Sequence, residues 1–269
     1  GSDEHGTPIL LKAEKECVTP RDIADRYNRQ HVDNIAALGI ELENFTRTSN
    51  SFHKQAAQDF FLRLHENGYI YPETMESPYC ESCGRFLPDR YVEGTCPYCG
   101  GTARGDQCDA CGKTLEAGEL VDPRCKLCGE TPVMRETEHL FFELSAFQED
   151  LLDWLADKDF WRSNVITFTR NWIQEGLEDR AVTRDLEWGI PVPLDGYENK
   201  RLYVWFEAVM GYLTASQEWA EQRGTPEAWR DWWQSDARHY YFLAKDNIPF
   251  HTIIWPAMLL AHSDLALPY

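Results

Sequence analysis

The chain has 269 residues with 43% hydrophobic content, enough to bury a sizeable core and too much for a disordered segment. No run of about 18 apolar residues and no charged, apolar and small-residue leader occurs, so the sequence points to a soluble, intracellular protein and away from membrane insertion or secretion. A net charge of -19, from 45 acidic and 26 basic residues, argues against general attraction to nucleic acid or anionic membrane.

The first stretch, "GSDEHGTPIL", gathers Ser, Asp, Glu, His and Gly ahead of apolar residues and suits either a loop or a strand-end site. It does not begin with Met, which points to a processed chain or an excerpt. Next comes "TPRDIADRYNRQHVDNIAALG", with Thr19 as N-cap, Pro20 at the first helical position and Gly39 as the stop. A second helix is predicted in "SNSFHKQAAQDFFLRLHENG", where Phe52, Ala56, Phe60 and Leu64 recur every four residues and Gly68 ends the run. Both are packing elements, and Cys17, between charged residues and the start of the first, is read as a structural bystander.

Eight of the nine cysteines fall between positions 80 and 128, as four Cys-x-x-Cys pairs: Cys80 and Cys83, Cys96 and Cys99, Cys108 and Cys111, Cys125 and Cys128. Each pair turns two thiolates toward one centre, and Zn2+ takes four such ligands in a tetrahedron, so the block predicts two structural zinc ions. Four thiolates per ion leave no position for water or substrate, which excludes catalytic zinc. Disulfides would need an oxidising compartment that no targeting signal supports. Spacing alone permits a sequential arrangement, a nested one and, ranked last, a crossed one. Six Lys or Arg against eight Asp or Glu between Cys80 and Cys128 disfavour phosphate binding as the block's main task.

Beyond the block, "RLYVWF" (201 to 206) and "HYYFLA" (239 to 244) read as buried strands. Each is followed by a helical pattern, the second with Asp246 or Asn247 as cap and Pro256 as a kink. In open parallel α/β sheets ligands bind beyond the carboxyl ends of strands, which singles out Trp205, Glu207, Ala208, Lys245 and Asp246. Ala208 and Tyr212 are one helical turn apart, and His251 falls in the first turns of the last helix. From periodicity alone, Trp205 and Tyr212 read as core aromatics, and His251 as a hydrogen-bonded interior histidine, rather than as ligand contacts.

Six stretches in order resemble methionyl-tRNA synthetase, a class I aminoacyl-tRNA synthetase: "GSDEHGTPI", the knuckle block with "FLPDRYVEGTCPYC", "GETPVMRETEHLFFEL", "TRDLEWGIPVP", "LYVWFEAVMGY" and "KDNIPFHTIIWPAML". The resemblance covers essentially the whole chain. It implies an α/β fold, a Rossmann-like parallel-sheet nucleotide-binding core (1-66 and 184-269) interrupted by a connective insertion (67-183) with two zinc knuckles. The double knuckle resembles archaeal-type enzymes. Relatives that keep only the inner pairs lose both outer pairs together, which favours nesting: Cys96, Cys99, Cys108 and Cys111 on one ion, Cys80, Cys83, Cys125 and Cys128 on the other.

The implied chemistry is ATP-dependent activation of methionine to methionyl-adenylate, with Mg2+ accompanying ATP, then transfer to the acceptor end of tRNA in the cytoplasm. Motif by motif, Asp3 takes the substrate ammonium, and Trp205, Ala208, Tyr212 and His251 surround the thioether, whose sulfur gains about 0.3 to 1.5 kcal/mol per ring contact. Lys245 and Asp246 fall at ATP positions, and Arg184 is expected to pair with Asp246 within about 6 Å, the range of useful direct pairing. Three positions depart from the family pattern: Glu207 for a frequent Asp, Val209 for a frequent Pro, and Ala244 for a Gly whose absence puts a Cβ near nucleotide. The HIGH-type and KMSKS-type signatures are not in the chain, so these residues by themselves are expected not to catalyse adenylation at an appreciable rate, whereas the full protein does. Two other readings are a non-enzymatic zinc module on an α/β scaffold and a related synthetase for a branched apolar amino acid, the latter disfavoured by the short zinc-bearing insertion.

Overall fold

A computed structural model describes residues 1–105, 108, 110, 111, 115 and 117–269, and the side chains of all of these except Asp89, Ala117 and Asp246. After an irregular segment at residues 1–6, α1 spans Thr7–Glu16 and ends where Cys17, exposed, takes a left-handed conformation. The second helix, α2 (Pro20–Ala37), begins as the sequence predicts. Thr19 accepts from the Asp22 N–H while the Asp22 carboxylate accepts from the Thr19 N–H, a reciprocal cap. Helix α3 covers Ser51–Glu66, capped by Asn50 and closed at Gly68 with φ +87°. Its buried face is His53, Ala57, Phe60, Phe61 and Leu64, not the Phe52 and Ala56 stripe. The four-residue repeat identified the helix but placed the face one residue off, because it passed over a buried histidine.

Strands follow: β1 (Ile70–Cys80), β2 (Arg85–Phe86), β3 (Val92–Thr95), β4 (Thr102–Arg104), β5 (Val121–Cys125) and β6 (Val133–Phe142). After helices α4 (Gln148–Ala156) and α5 (Ser163–Glu175) come β7 (Arg180–Ala181), β8 (Thr183–Arg184) and β9 (Arg201–Leu202). The long pair β1 and β6 runs antiparallel from Ile70 opposite Phe142 to Tyr79 opposite Val133, in the sheet order β2-β1-β6-β7. It forms a stalk whose far end carries the three-stranded sheet β4-β3-β5.

Every named strand pairs antiparallel, and parallel pairing among the described residues is the bridge between Ser2 and Arg47. The α/β character expected from the sequence is present, but two of its predicted strands are not. In "RLYVWF" the ladder stops at Leu202: the Tyr203 N–H reaches Val182 O at 2.8 Å, and the Tyr203 carbonyl then takes the N–H groups of Phe206 and Glu207. Helix α6 (Val204–Gln222) therefore begins inside the apolar run, which is buried as a helix turn rather than as a strand. Segment 239 to 244 has no ladder partner among the described residues, and its Phe242 is 98% exposed.

The chain closes with α7 (Arg230–Trp233) and, beyond a 3-10 turn at Lys245–Asn247, a π-helical turn at Phe250–Ile254 that leads into α8 (Trp255–His262). Pro256 lacks the N–H an α-turn needs there, and the widened turn just ahead of it takes the place of the expected kink. The main core joins α3, α6 and α8 to β1 and β6 around Phe61, Phe142, Phe206, Met210 and Trp255. A second core lies under the cysteines and includes Leu10 of α1 with Leu87, Tyr91 and Val92.

Candidate functional site

Glu207 has no solvent exposure and stands in the first turn of α6. Its carboxylate accepts from His5 Nδ1 at 2.7 Å and from His53 Nε2 at 2.9 Å. Burial by itself pushes this carboxyl up; the hydrogen bonds and charges of the two imidazoles outweigh it and hold the group below the usual carboxylate range. His53 Nδ1 meets the Thr214 hydroxyl at 2.7 Å, so the chain of bonds continues along α6. Three distant segments, around residues 5, 53 and 207, are tied at one point.

Beside it, the buried Glu4 carboxylate accepts two bonds of 2.9 Å from Arg47 Nε and one of 2.6 Å from Ser2, with Ser49 also donating. Arg47 in turn donates to Asp25 at 2.6 Å. The Glu4 N–H reaches Thr48 Oγ1 at 2.9 Å, and its carbonyl accepts from Trp188 Nε1 at 2.6 Å. Between these two fixed residues Asp3 is the one whose carboxylate stays available. Solvent reaches it on one side while protein crowds the others, and this partial desolvation, together with the Glu207 charge, raises its carboxyl to about 7 against the opposing His5 N–H bond.

On the next turns of α6, the Tyr212 hydroxyl meets His251 Nε2 at 2.8 Å, and His251 Nδ1 donates to the Asn247 carbonyl at 2.8 Å. That donor fixes Nε2 as the acceptor for the phenol. Burial lowers His251, with the Asn247 bond opposing, so the ring is neutral at pH 7. Tyr241 packs edge-on against both, with centroids 4.9 Å from Tyr212 and 5.6 Å from His251, and accepts from Trp255 Nε1 at 3.1 Å. Trp205 stacks on Phe250 at 4.7 Å, and half-buried Ala208 follows Glu207 on the same helix.

Tyr212 and Tyr241 also line a cavity of about 330 Å³ toward Trp232 and Trp233; Trp205, Ala208 and His251 are not in its wall. Polar groups that could orient a ligand gather instead around Glu207, Glu4 and Asp3. Arg184 lies over the Tyr203 ring at 4.1 Å and donates to the carbonyls of Ala181 and Thr183 at 2.8 Å each. Lys245 is exposed in the turn Lys245–Asn247. The Asp246 side chain, and with it the expected Arg184 to Asp246 pair, lies outside the described residues.

The cysteines form two groups, Cys80, Cys83, Cys125 and Cys128, and Cys96, Cys99, Cys108 and Cys111, each with its sulfurs within 4.8 Å of one another. This is the nested arrangement. The sulfur contacts, 3.4 Å for Cys80 and Cys128, 3.9 Å for Cys83 and Cys125, 3.9 Å for Cys96 and Cys111, and 3.6 Å for Cys99 and Cys108, lie close to the edge of about 3.8 Å that a tetrahedron of ~2.3 Å metal–sulfur bonds requires. Gly84, Gly100 and Gly129, each directly after a pair, take positive φ and let the knuckle turn close. The outer group also holds the knuckle against α1: Arg85 donates to Glu14 at 2.8 Å and Tyr91 to the same carboxylate at 3.5 Å.

Residues 1–269 match the family described as tRNA synthetases class I (M). The chain belongs to the class I tRNA synthetase (M) family. It is 57% identical over 270 residues to a methionine–tRNA ligase of Dehalococcoides mccartyi (strain CBDB1), covering 100% of this chain and 49% of that protein. It is 55% identical over 271 residues to the methionine–tRNA ligase of Thermoplasma volcanium, covering 100% of this chain and 50% of that one. Mycobacterium tuberculosis methionyl-tRNA synthetase in complex with methionyl-adenylate is similar in structure, with a TM-score of 0.71, 25% identity and coverage of 100% of this chain and 47% of that chain. This class I tRNA synthetase chain thus spans about half the length of the curated relatives it matches. Neither the zinc-module reading nor that of a branched apolar amino acid finds support in these similarities.

Reading the residues missed His53, Arg47 and Trp188, which hold the site together without a sequence spacing to mark them. The signal for Glu207 was its place at a strand-to-helix junction, and for Glu4 and His5 the polar cluster around Asp3. The raised Asp3 carboxyl makes a testable statement about stability. Its ordinary value is 3.8 and its folded value about 7, so between these the folded state holds a proton the unfolded state has lost, and stability falls as pH rises through this window. Asp3→Asn should therefore gain thermal stability over the wild type progressively from about pH 4 to pH 8, with no gain at the acid end. A melting-temperature difference that is the same at every pH would contradict this.

Proposed function

We propose that the chain is the catalytic region of a methionine–tRNA ligase, in which the intact protein activates methionine with ATP and transfers it to the acceptor end of tRNA. The observation that carries this reading is a carboxylate at Asp3 raised by desolvation and by the nearby Glu207 charge at the start of α6, with the Tyr212 to His251 contact further along the same helix. The 57% identity to the Dehalococcoides ligase, itself named for this activity, supports it.

In this reading Asp3 receives the ammonium of methionine, which displaces its proton and returns it to the ionised form. Trp205, Ala208, Tyr212 and His251 line the thioether side chain. A neutral His251, its Nε2 taken by the Tyr212 hydroxyl, presents a ring edge rather than a cation to an apolar, polarisable group. Lys245 and Asp246 serve ATP with its Mg2+, and Arg184 pairs with Asp246 to hold that region in place. A methionine carboxylate oxygen then attacks the α-phosphorus and the bond to pyrophosphate breaks. In the second step a terminal tRNA hydroxyl attacks the acyl carbon and AMP departs. Both steps proceed by positioning, and no side chain of this set needs to act as a covalent nucleophile.

Residues 67–183 act as a connective insertion between two halves of the core, 1–66 and 184–269. The two four-sulfur clusters suit Zn2+: soft thiolates in a closed tetrahedral set bind a structural ion and leave it no reactive position. The protein works in the cytoplasm, and the described residues contain no helix long and apolar enough to cross a membrane.

Elemental analysis of the intact protein should give about two zinc per chain, the number that eight thiolates hold four to an ion; one ion or none contradicts the assignment. Methionine-dependent ATP/pyrophosphate exchange by the intact protein tests the activity. Asp3→Asn should raise the methionine KM at least about tenfold, the loss of one charge-assisted bond, while the ATP KM stays put. Exchange that does not depend on methionine, or an unaltered methionine KM in the variant, would overturn the reading.

A further inference from the structure

Glu4 sits between Asp3 and His5, and all of its polar groups are engaged: the N–H by Thr48, the carboxylate by Arg47, Ser2 and Ser49, and the carbonyl by Trp188. Among the described residues that hold it, Thr48, Arg47, Ser2 and Ser49 belong to the first 49 positions. Trp188 comes from 184 residues further along the chain, and its Nε1–H to Glu4 carbonyl bond is 2.6 Å.

The same indole is gripped from several sides. It meets His5 edge-on with centroids 5.4 Å apart at 71°, lies under the Arg21 guanidinium at 5.1 Å, and packs with Leu186 on the core that contains Leu10, Tyr91, Cys80 and Cys125. Arg21 in turn donates to Ser49 Oγ at 2.7 Å and to its carbonyl at 3.0 Å, closing a ring of contacts round Glu4.

We infer that Trp188 is a positioning residue for Asp3, fixing through the Glu4 carbonyl the direction in which the Asp3 carboxylate faces the substrate ammonium. The inference rests on the reading of Asp3 as the ammonium ligand. A carbonyl held by one short bond defines the rotation of the peptide plane between residues 4 and 5. When the donor is lost, that plane turns, the His5 N–H that contacts Asp3 Oδ1 at 3.5 Å turns with it, and the carboxylate loses its aim. Trp188 touches neither substrate nor reacting atoms. Its influence falls on binding of the amino acid and leaves nucleotide binding and the chemical step alone.

The test is exchange kinetics on the intact protein carrying Trp188→Phe, which keeps an aromatic ring for His5 and Arg21 and removes the N–H. The expected result is a rise of about tenfold in the methionine KM, the scale of one unmade buried bond, with kcat and the ATP KM within about twofold of wild type. In the double variant with Asp3→Asn, the Trp188→Phe substitution should add nothing to the methionine KM, because its effect passes through Asp3. Should Trp188→Phe fail to fold, 3-benzothienylalanine placed at position 188 keeps the bicyclic shape and lacks the N–H, and should show the same pattern. An unchanged methionine KM, a fall in kcat as large as the rise in KM, or full additivity with Asp3→Asn overturns the inference. If Asp3→Asn responds as the ammonium reading requires while position 188 does not, this inference alone fails; if Asp3→Asn itself leaves the methionine KM unchanged, both fail.

Discussion

A carboxylate without solvent exposure can persist only if it is compensated, and Glu207 is compensated by two imidazoles from different parts of the chain. This requirement organises the site. His5 must come to the first turn of α6, which brings the irregular segment 1–6 with it, and His53 must face inward from α3, which fixes that helix against α6. Its place in the first helical turn adds the favourable field of the helix N-terminus. Once Glu207 is held in its charged form, a second carboxylate nearby is disfavoured as an anion, and Asp3 is raised for that reason as well as by desolvation.

The cysteine clusters act at a distance from this constraint but on the same segment. Two four-sulfur clusters close the loops of a small sheet above the second core. The outer cluster shares its core with Leu10, so the knuckle is docked on the helix that follows Asp3 directly. Glu14, at the far end of α1, is held by Arg85 and Tyr91 from the knuckle side. The stalk of β1 and β6 therefore carries a unit that returns to brace the start of the chain.

Much of this was legible from the sequence where the signal was local. Thr19 with Pro20 and the glycines at 39 and 68 mark helix ends by local chemistry that needs no tertiary information. The cysteine pairs told their chemistry by spacing, while their nesting came from resemblance to relatives, since spacing permits three arrangements. What was not legible depended on long-range pairing. "RLYVWF" and "HYYFLA" have the composition of buried strands, but composition cannot say whether a ladder partner exists: the first run keeps only Arg201–Leu202 as strand before turning into α6, and the second has no ladder partner among the described residues. The buried face of α3 was displaced because His53 is polar by type and buried by function. Trp188 and Arg47 carried no pattern at all; their importance lies in which distant atom each one meets.

The account turns on Asp3 being a carboxylate whose ionisation in the free protein is pushed up to about pH 7. The most direct measurement is the pH titration of its carboxyl carbon by NMR in the intact protein, with and without methionine. The account predicts a midpoint near pH 7 in the free protein, falling well into the ordinary carboxylate range or below once methionine is bound. A midpoint near 4 in both states, or one that methionine does not move, would contradict it.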